Sequence, residues 1–446
     1  MTDATPPTAP TASIVPARLR AAIVRLWQHP ATSIERIHLS SSFRALEDTC
    51  RTIYADIDAS RLVREPSIRV TPSILNRTLQ NFFRWNSAPW FTGPTPTADD
   101  TASSLHGAFL RQAIRRTYLV PLDRLLLEHR STGSPNEVRN VRFGPNEIVR
   151  LQRDELAQRV PVDGLARFGP KHRFPTAELD GFFWLATDRT EPAGPIEKRT
   201  WLDLFNAKLA DVDTVELFRS TYPIPVEDAL FSLLLILVKD PRQKPWQPFY
   251  IPWVYSFTDD MFSAPTASPD PSALSLDVVG DDHHQFMVPD QSESFAFDTR
   301  QQEALQRRWS VLQELLAKVQ TDDANFHPLT KHFFVKAFSE HGVDEIISNL
   351  SCLEATLMLK RDRNRKALKQ RFSRLVGNNQ ASQWLTDAYR LRDNYVHSLA
   401  DPKYKLTRTG LARTRWIVSI AVGNYLDFAI RRPTLNRSRL LSELDS

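Results

Sequence analysis

From residue 298 to the end of the chain, apolar residues recur every three or four positions, which is the spacing of one face of an α-helix. The predicted helices are 301–319, 330–339, 343–358, 363–376, 381–398 and 406–430. In the third of them, an apolar stripe requires facing helices to cover it; it consists of Val343, Ile346, Ile347, Leu350, Leu353 and Leu357. The pattern predicts a helical bundle over residues 298–446.

The first part of the chain mixes helical patterns with short aromatic runs. Residues 1–16 contain four prolines and predict a disordered tail. Helices are predicted at 17–28, 45–62, 73–84, 105–129, 146–160 and 226–239, and short strands at 181–186 and 246–257. Residues 256–297 are rich in Pro, Ser and Asp and predict a loop or linker. The expected fold is mostly α, with a mainly helical N-terminal domain with minor β (17–255) preceding the bundle.

The charge of the chain is unevenly distributed. Residues 327–446 carry 21 basic and 11 acidic side chains, against 36 and 41 in the first 326 residues. A basic surface on the bundle favours a nucleic-acid partner there. The longest apolar run, 229–238, has about half the length of a membrane-spanning helix, and no hydrophobic signal sequence is visible, so we expect a cytoplasmic protein without a membrane partner.

Few residues offer a site for a metal or a cofactor. Two cysteines cannot form a disulfide framework or a four-thiolate zinc site. Adjacent ligand types occur at Asp281, Asp282, His283 and His284, but neighbouring histidines in a loop seldom converge on one ion. The chain has only 13 glycines and no glycine-rich phosphate loop. We therefore predict no metal and no cofactor.

An arginine and a histidine separated by four residues occur three times. The pairs are Arg124 with His129, Arg167 with His172, and Arg392 with His397. The first encloses three leucines, which predicts the apolar side of a helix, and the second encloses Gly-Pro, which breaks a helix. Only the third has a polar interior, with Asp393 and Asn394, on a predicted helix of the basic bundle.

The bundle resembles the HEPN superfamily of helical domains, found in prokaryotic toxin, abortive-infection and RNA-processing proteins, and within it the Apea-like group. The resemblance covers residues 298–446. It rests on the Arg-x4-His motif in YRLRDNYVHS, on CLEATLMLK at the end of an upstream helix, where Glu354 follows the apolar stripe, and on RFSRLV between them. Some HEPN toxins carry a modified tyrosine two residues after the histidine. Leu399 stands there in this chain, so that modification is not expected.

The resemblance implies a metal-independent endoribonuclease that works as a homodimer. An imidazole titrates near neutrality, so His397 can take a proton from a ribose 2′-OH or give one to the leaving 5′-oxygen. The planar fork of Arg392 can stabilise the charge of the phosphorane. Asp393 precedes His397 by four residues and can orient its imidazole. Arg392 and His397 lie about 140° apart around a helix, and pairing two copies would bring both residue types to one phosphate.

A basic run at 359–374 precedes the motif, with eight basic residues and one acid in sixteen positions. Such a run is either a solvated face or a phosphate-binding surface. The candidate RNA-binding residues are Lys360, Arg361, Arg363, Arg365 and Lys366. Glu354 is either a supporting residue of the site or a solvated carboxylate at the edge of the stripe.

The sequence thus predicts an RNA-cleaving toxin or anti-phage effector, with the N-terminal domain sensing a trigger or restraining the nuclease. The defence role rests on the family resemblance alone. The alternative is a non-catalytic HEPN protein that dimerises or binds RNA as an interaction module.

Overall fold

The computed structural model describes residues 14–30, 33–61, 72–86, 90, 96–122, 125–128, 140–177, 179–200, 222–238, 254–265, 276–281, 284–289, 295–298, 302–318, 324–340, 342–360, 362, 365–397 and 405–446. These residues form mostly helices, with one small five-stranded sheet and two further strand pairs, as the sequence predicts. The predicted disordered tail lies outside them up to residue 13. Within the described ranges, no helix is both long and apolar enough to cross a membrane.

Four helices open the chain: α1 (Ala17–Gln28), α2 (Ser41–Arg61), α3 (Pro72–Trp85) and α4 (Ala98–Leu110). The first three were predicted within a few residues. The N-terminus of α4 is capped by the Thr97 hydroxyl, which accepts a hydrogen bond from the Asp100 N–H at 3.1 Å. The apolar faces of the four helices share a core built around Leu26, Phe43, Phe82 and Phe83.

A five-stranded antiparallel sheet follows, in the order β3-β4-β5-β1-β6. Its strands are β1 (Ala113–Leu122), β3 (Asn140–Phe143), β4 (Asn146–Arg150), β5 (Phe183–Pro192) and β6 (Tyr255–Thr258), while β2 (Leu125–Glu128) lies outside it. The short helices α5 (Arg153–Arg159), α6 (Val162–Ala166) and α7 (Ile196–Thr200) lie between strands of the sheet along the chain.

Two helix predictions in this region are wrong in part. The predicted helix 105–129 is a helix only to Leu110, because Ile114, Arg116 and Tyr118 alternate with more exposed residues and enter the sheet as β1. The predicted helix 146–160 begins as strand β4, and α5 starts only after Gln152, whose N–H donates to Glu155 Oε2 at 2.9 Å.

The stretch 256–297, expected as a loop or linker, contains strand structure in its described part. In addition to β6, it holds β7 (Leu276–Asp281) and β8 (His284–Pro289), which pair as a hairpin, and β9 (Phe295–Asp298), which pairs in parallel with β2. The apolar residues of these strands form runs of only two or three, such as 278–279 and 286–288, between segments rich in Ser and Asp. Such short runs do not identify a strand from the sequence alone.

The C-terminal bundle follows the prediction closely. Its helices are α9 (Gln302–Leu316), α10 (Pro328–Ser339), α11 (Val343–Leu357), α12 (Arg365–Val376), α13 (Asn379–Val396), α14 (Arg408–Ile430) and the unpredicted α15 (Arg437–Glu443). In the α11 stripe, Ile346, Leu350, Leu353 and Leu357 are buried. α13 packs on α11, α12 and α14.

One apolar core joins the sheet to the bundle. The helix α8 (Ile224–Leu237) is apolar almost all round, and Phe231, Leu233 and Leu234 are buried. It packs on β5, α9, α10 and α14, and the same core includes Val120 of the sheet and Leu385 of the motif helix. The β3–β4 turn also meets α9, where Gly144 has a φ of 56° and a Cβ would overlap the Trp309 ring.

Candidate active site at the end of helix α13

The motif helix α13 has a well-defined start and end. Gly377, with a φ of 64°, ends the preceding helix, and the Asn378 side chain accepts hydrogen bonds from the N–H groups of Gln380 (2.9 Å) and Ala381 (3.2 Å). At its other end, His397 is the C-cap residue, and its N–H donates to the Asp393 carbonyl at 3.0 Å. The C-terminal end of α13 therefore carries Arg392, Asp393 and Asn394, and His397 directly follows the helix.

Asp393 is held by an arginine of the neighbouring helix. Arg365 donates to both carboxylate oxygens, from Nη1 to Oδ2 at 2.9 Å and from Nη2 to Oδ1 at 3.2 Å. These hydrogen bonds lower the pKa of Asp393 below its ordinary value, and the charges of Arg392 and His397 lower it further. Asp393 is therefore a carboxylate surrounded by three basic groups.

The arginine rests on a buried tyrosine. The Arg365 guanidinium lies 4.3 Å from the centre of the Tyr389 ring, and Tyr389 is only 3% exposed. The Tyr389 hydroxyl donates to Glu354 Oε1 at 3.1 Å. Burial and the nearby Glu354 carboxylate raise the pKa of Tyr389, so the phenol stays protonated and remains a donor. Side chains from α11, α12 and α13 thus form one connected cluster.

The two motif side chains project from this cluster without binding to it. Arg392 is half-buried and His397 is exposed. Within the described part of the chain, no hydrogen bond or ion pair engages the Arg392 guanidinium or the His397 imidazole. Their donors and the ring nitrogens are therefore available to a ligand, while the half-buried Asn394 makes contacts of its own.

The hydrogen-bond partner of the Asp393 carboxylate differs from the expected one. We expected its carboxylate to orient the His397 imidazole, but both of its oxygens accept from Arg365. Asp393 interacts with His397 in two other ways. The two side chains interact through their charges, and the Asp393 backbone carbonyl accepts a hydrogen bond from the His397 N–H. Sequence reasoning placed Glu354 near the site and did not identify Tyr389. The spacing of four residues between Tyr389 and Asp393 was the available signal, since it places both on one helix face.

The basic run separates into different environments. Lys360 and Lys366 are exposed, as are Lys369 and Arg374, and Arg361 and Arg363 lie outside the described residues. Arg365 is bound to Asp393. Arg371 is buried, and its guanidinium binds the Asp445 carboxylate and the Leu357 carbonyl, so it stabilises the bundle.

The other Arg-x4-His pairs do not form comparable sites where they are described. Arg124 and His129 lie outside the described residues, and the segment between them is strand β2 rather than the predicted helix. Arg167 donates to the Trp85 carbonyl at 2.8 Å, and the His172 ring contacts Phe168. Both residues of that pair serve packing.

Of the four adjacent ligand-type residues, Asp281 ends β7 and His284 begins β8, whereas Asp282 and His283 lie outside the described residues. Among the residues that are described, no three His, Cys, Asp or Glu side chains converge as metal ligands. Cys50 and Cys352 are free and buried.

Comparison with known proteins adds no relative. No family model matches the chain, and no curated protein or solved structure matches it either.

Proposed function

We propose that the protein is a metal-independent endoribonuclease of the HEPN type, with Arg392 and His397 as its catalytic residues. One observation at the end of α13 supports this proposal. The side chains of Arg392 and His397 lie beside Asp393, which is hydrogen-bonded to Arg365, and neither has a hydrogen-bond partner among the described residues. An imidazole and a guanidinium at one helix end, without a hydrogen-bond partner among the described residues, suit proton transfer and stabilisation of a phosphorane.

In this mechanism, an imidazole takes the proton from the ribose 2′-OH as its oxygen attacks the adjacent phosphorus. The guanidinium of Arg392 donates to the phosphoryl oxygens, where negative charge builds up. An imidazole then gives a proton to the departing 5′-oxygen. The products are a 2′,3′-cyclic phosphate and a 5′-hydroxyl, and no water or metal takes part in the cleavage.

Substrate binding is proposed for the exposed lysines near the site. Lys360 follows α11 and Lys366 lies on the first turn of α12, one residue after the arginine that holds Asp393. Arg361 and Arg363, from the same run, belong to this proposal on sequence grounds. Basic side chains of this kind bind the RNA backbone without reading its sequence.

A homodimer formed through the bundle belongs to the proposal. Tyr395 and Val396 are 45% and 47% exposed, although both are large apolar residues, and they directly precede His397. Burying them against a second copy would bring two motif helices together, which the five-residue spacing of Arg392 and His397 requires.

By analogy with the family, we place the protein in the cytoplasm as a toxin or anti-phage effector, with a cellular or phage trigger acting through the N-terminal part. The alternative is a non-catalytic protein that dimerises or binds RNA. The exposed Tyr395 and Val396 suit that alternative equally well.

The test is an assay of the purified protein on mixed RNAs in the presence of EDTA. Wild type should cleave and leave 2′,3′-cyclic phosphates, and His397→Ala should be about 10²- to 10⁴-fold slower. His172→Ala, from the pair that serves packing, is the matched control and should cleave like wild type. Loss of cleavage in EDTA, or full activity of His397→Ala, would contradict the mechanism. RNA binding without cleavage would favour the alternative.

A further inference from the structure

The contacts of Arg365 converge on the motif. It binds both oxygens of Asp393, it stacks on Tyr389, and through that ring it is connected to Glu354 on α11. Asp393 directly follows Arg392, and its carbonyl accepts the N–H of His397. A side chain from α12 therefore fixes a residue that is linked to both catalytic candidates.

The base of this arrangement is rigid. Tyr389 is buried, and its hydroxyl is held by Glu354, so the ring presents a fixed face to the guanidinium. An arginine that binds a carboxylate through two parallel hydrogen bonds fixes its direction as well as its distance. Because α11 is itself anchored by its buried stripe, the end of α13 is tied to the core of the bundle.

The contact also has an electrostatic consequence. Asp393 is an anion next to two basic side chains that are needed by a phosphate. Both of its oxygens accept hydrogen bonds from Arg365, and neither accepts one from the side chain of Arg392 or His397. Without Arg365, the carboxylate would be free to pair with either of them, and the substrate phosphate would then have to displace it.

We propose that Arg365 is a positioning residue of the active site, which binds Asp393 so that Arg392 and His397 stay unpaired and correctly placed for an RNA phosphate. This inference rests on the proposed function. It also assigns Arg365 a different task from that of its exposed neighbour Lys366, since its donors are turned toward Asp393 and not toward a bound strand.

The experiment compares kcat and KM of Arg365→Gln with those of wild type. We expect kcat to fall about 10- to 100-fold, as for a misplaced reactive group, with KM changed less than about twofold. Arg308→Gln is the matched control. Elsewhere in the bundle, Arg308 also donates to both oxygens of a carboxylate, from Nη1 to Asp427 Oδ1 at 2.9 Å and from Nη2 to Asp427 Oδ2 at 3.1 Å. It should leave kcat unchanged.

A second substitution separates positioning from folding. In the Arg365→Gln background, Asp393→Asn removes the charge that would pair with Arg392, and kcat should partly recover. Arg365→Lys keeps the charge but cannot bind both oxygens, so it should be intermediate. If Arg365→Gln melts at a much lower temperature than wild type, the kcat of Arg365→Lys is the value to compare with wild type.

The outcomes distinguish the two proposals. An active wild type with an unaffected kcat in Arg365→Gln, or with a change in KM alone, would overturn the positioning role and make Arg365 a neutral or phosphate-binding residue. Additive losses in the double variant would also overturn it. A wild type that cleaves no RNA would overturn the proposed function and this inference together.

Discussion

Lys331 of α10 lies in the core with only 5% of its surface exposed. Its ammonium binds the Asp228 carboxylate and lies 3.3 Å from Glu227 Oε2, both on α8, and His332 Nδ1 lies 3.2 Å from Glu227 Oε1. Burial raises the pKa of Asp228 even though Lys331 acts in the opposite direction. The lysine therefore offsets only part of the cost of burying this carboxylate.

Replacing Lys331 by Met should reduce the free energy of unfolding by about 3 to 5 kcal/mol, because two buried carboxylates lose their lysine. Urea unfolding at pH 7 measures this. Lys336→Met, on the same helix but 40% exposed beside Glu340, is the matched control and should cost less than about 1 kcal/mol.

The loss in free energy of unfolding caused by Lys331→Met should also depend on pH in a defined direction. Since the folded-state pKa of Asp228 is raised, its contribution to stability is present at acidic pH and is lost as the pH rises through that value. The difference between Lys331→Met and wild type should therefore narrow as the pH is lowered from neutral. A gap that stays constant or widens would show that the uncompensated charge is not its cause.

At the scale of single residues, the sequence predicts the motif but not the side-chain contacts that fix its position. Arg392 and His397 are recognisable by spacing, and their polar interior separates them from the other two pairs. The contact between Arg365 and Asp393 depends on which face of α12 meets α13, across 28 positions of sequence. Arg365 and Lys366 look equivalent in the basic run, and only packing distinguishes them.

Among the elements, α12 combines a buried and an exposed set of basic residues. Arg371 is used inside the bundle, whereas Lys366, Lys369 and Arg374 are exposed. Replacing these three by Gln should weaken RNA binding and flatten the dependence of log K on log salt, by about 0.7 for each phosphate that is no longer neutralised. Fluorescence anisotropy with single-stranded RNA at several salt concentrations gives both quantities.

A matched set on the first helix controls for net charge. Arg18, Arg20 and Arg25 of α1 are exposed as well, and their replacement by Gln removes the same number of charges. It should leave the slope unchanged. Equal slopes for the α12 variant and wild type would make α12 a solvated face rather than an RNA-binding surface.

Helices and strands differed in how well they could be predicted. The stripe of α11 repeats over four turns and fits only a helix, so its predicted and observed ends differ by one residue. β4 has only five residues, and β1 follows α4 after only two residues. The apolar residues of both also fit a helical spacing, and strand β5, which pairs with both of them, is distant in sequence.

The whole molecule raises the question of assembly, since the spacing of Arg392 and His397 corresponds to about 140° around an ideal helix. If two copies form the site, mixing an Arg392→Ala chain with a His397→Ala chain should restore part of the activity that each lacks alone. The mixture is assayed for RNA cleavage after subunit exchange, with a chain carrying both substitutions as the control. A protein that is monomeric at micromolar concentration and still cleaves RNA would rule the shared site out.

Domain organisation depends on packing between segments that are distant in sequence. The composition of residues 256–297 suggested a division of the chain, whereas the burial of α8 against the bundle depends on long-range packing. The apolar run 229–238 predicted a buried helix but did not indicate which neighbours would bury it.

The shared core has a consequence for how the proposed nuclease could be regulated. Since Phe231 and Leu234 of α8 are buried with Leu312 and Phe334 of the bundle, a protease that cut the chain ahead of residue 298 would not release a finished domain. The freed fragment would expose the surfaces of α9 and α10 that α8 covers, and it would aggregate or be degraded. Activation of the proposed nuclease by proteolytic removal of the N-terminal part is therefore disfavoured, and we expect any trigger to act on the intact chain.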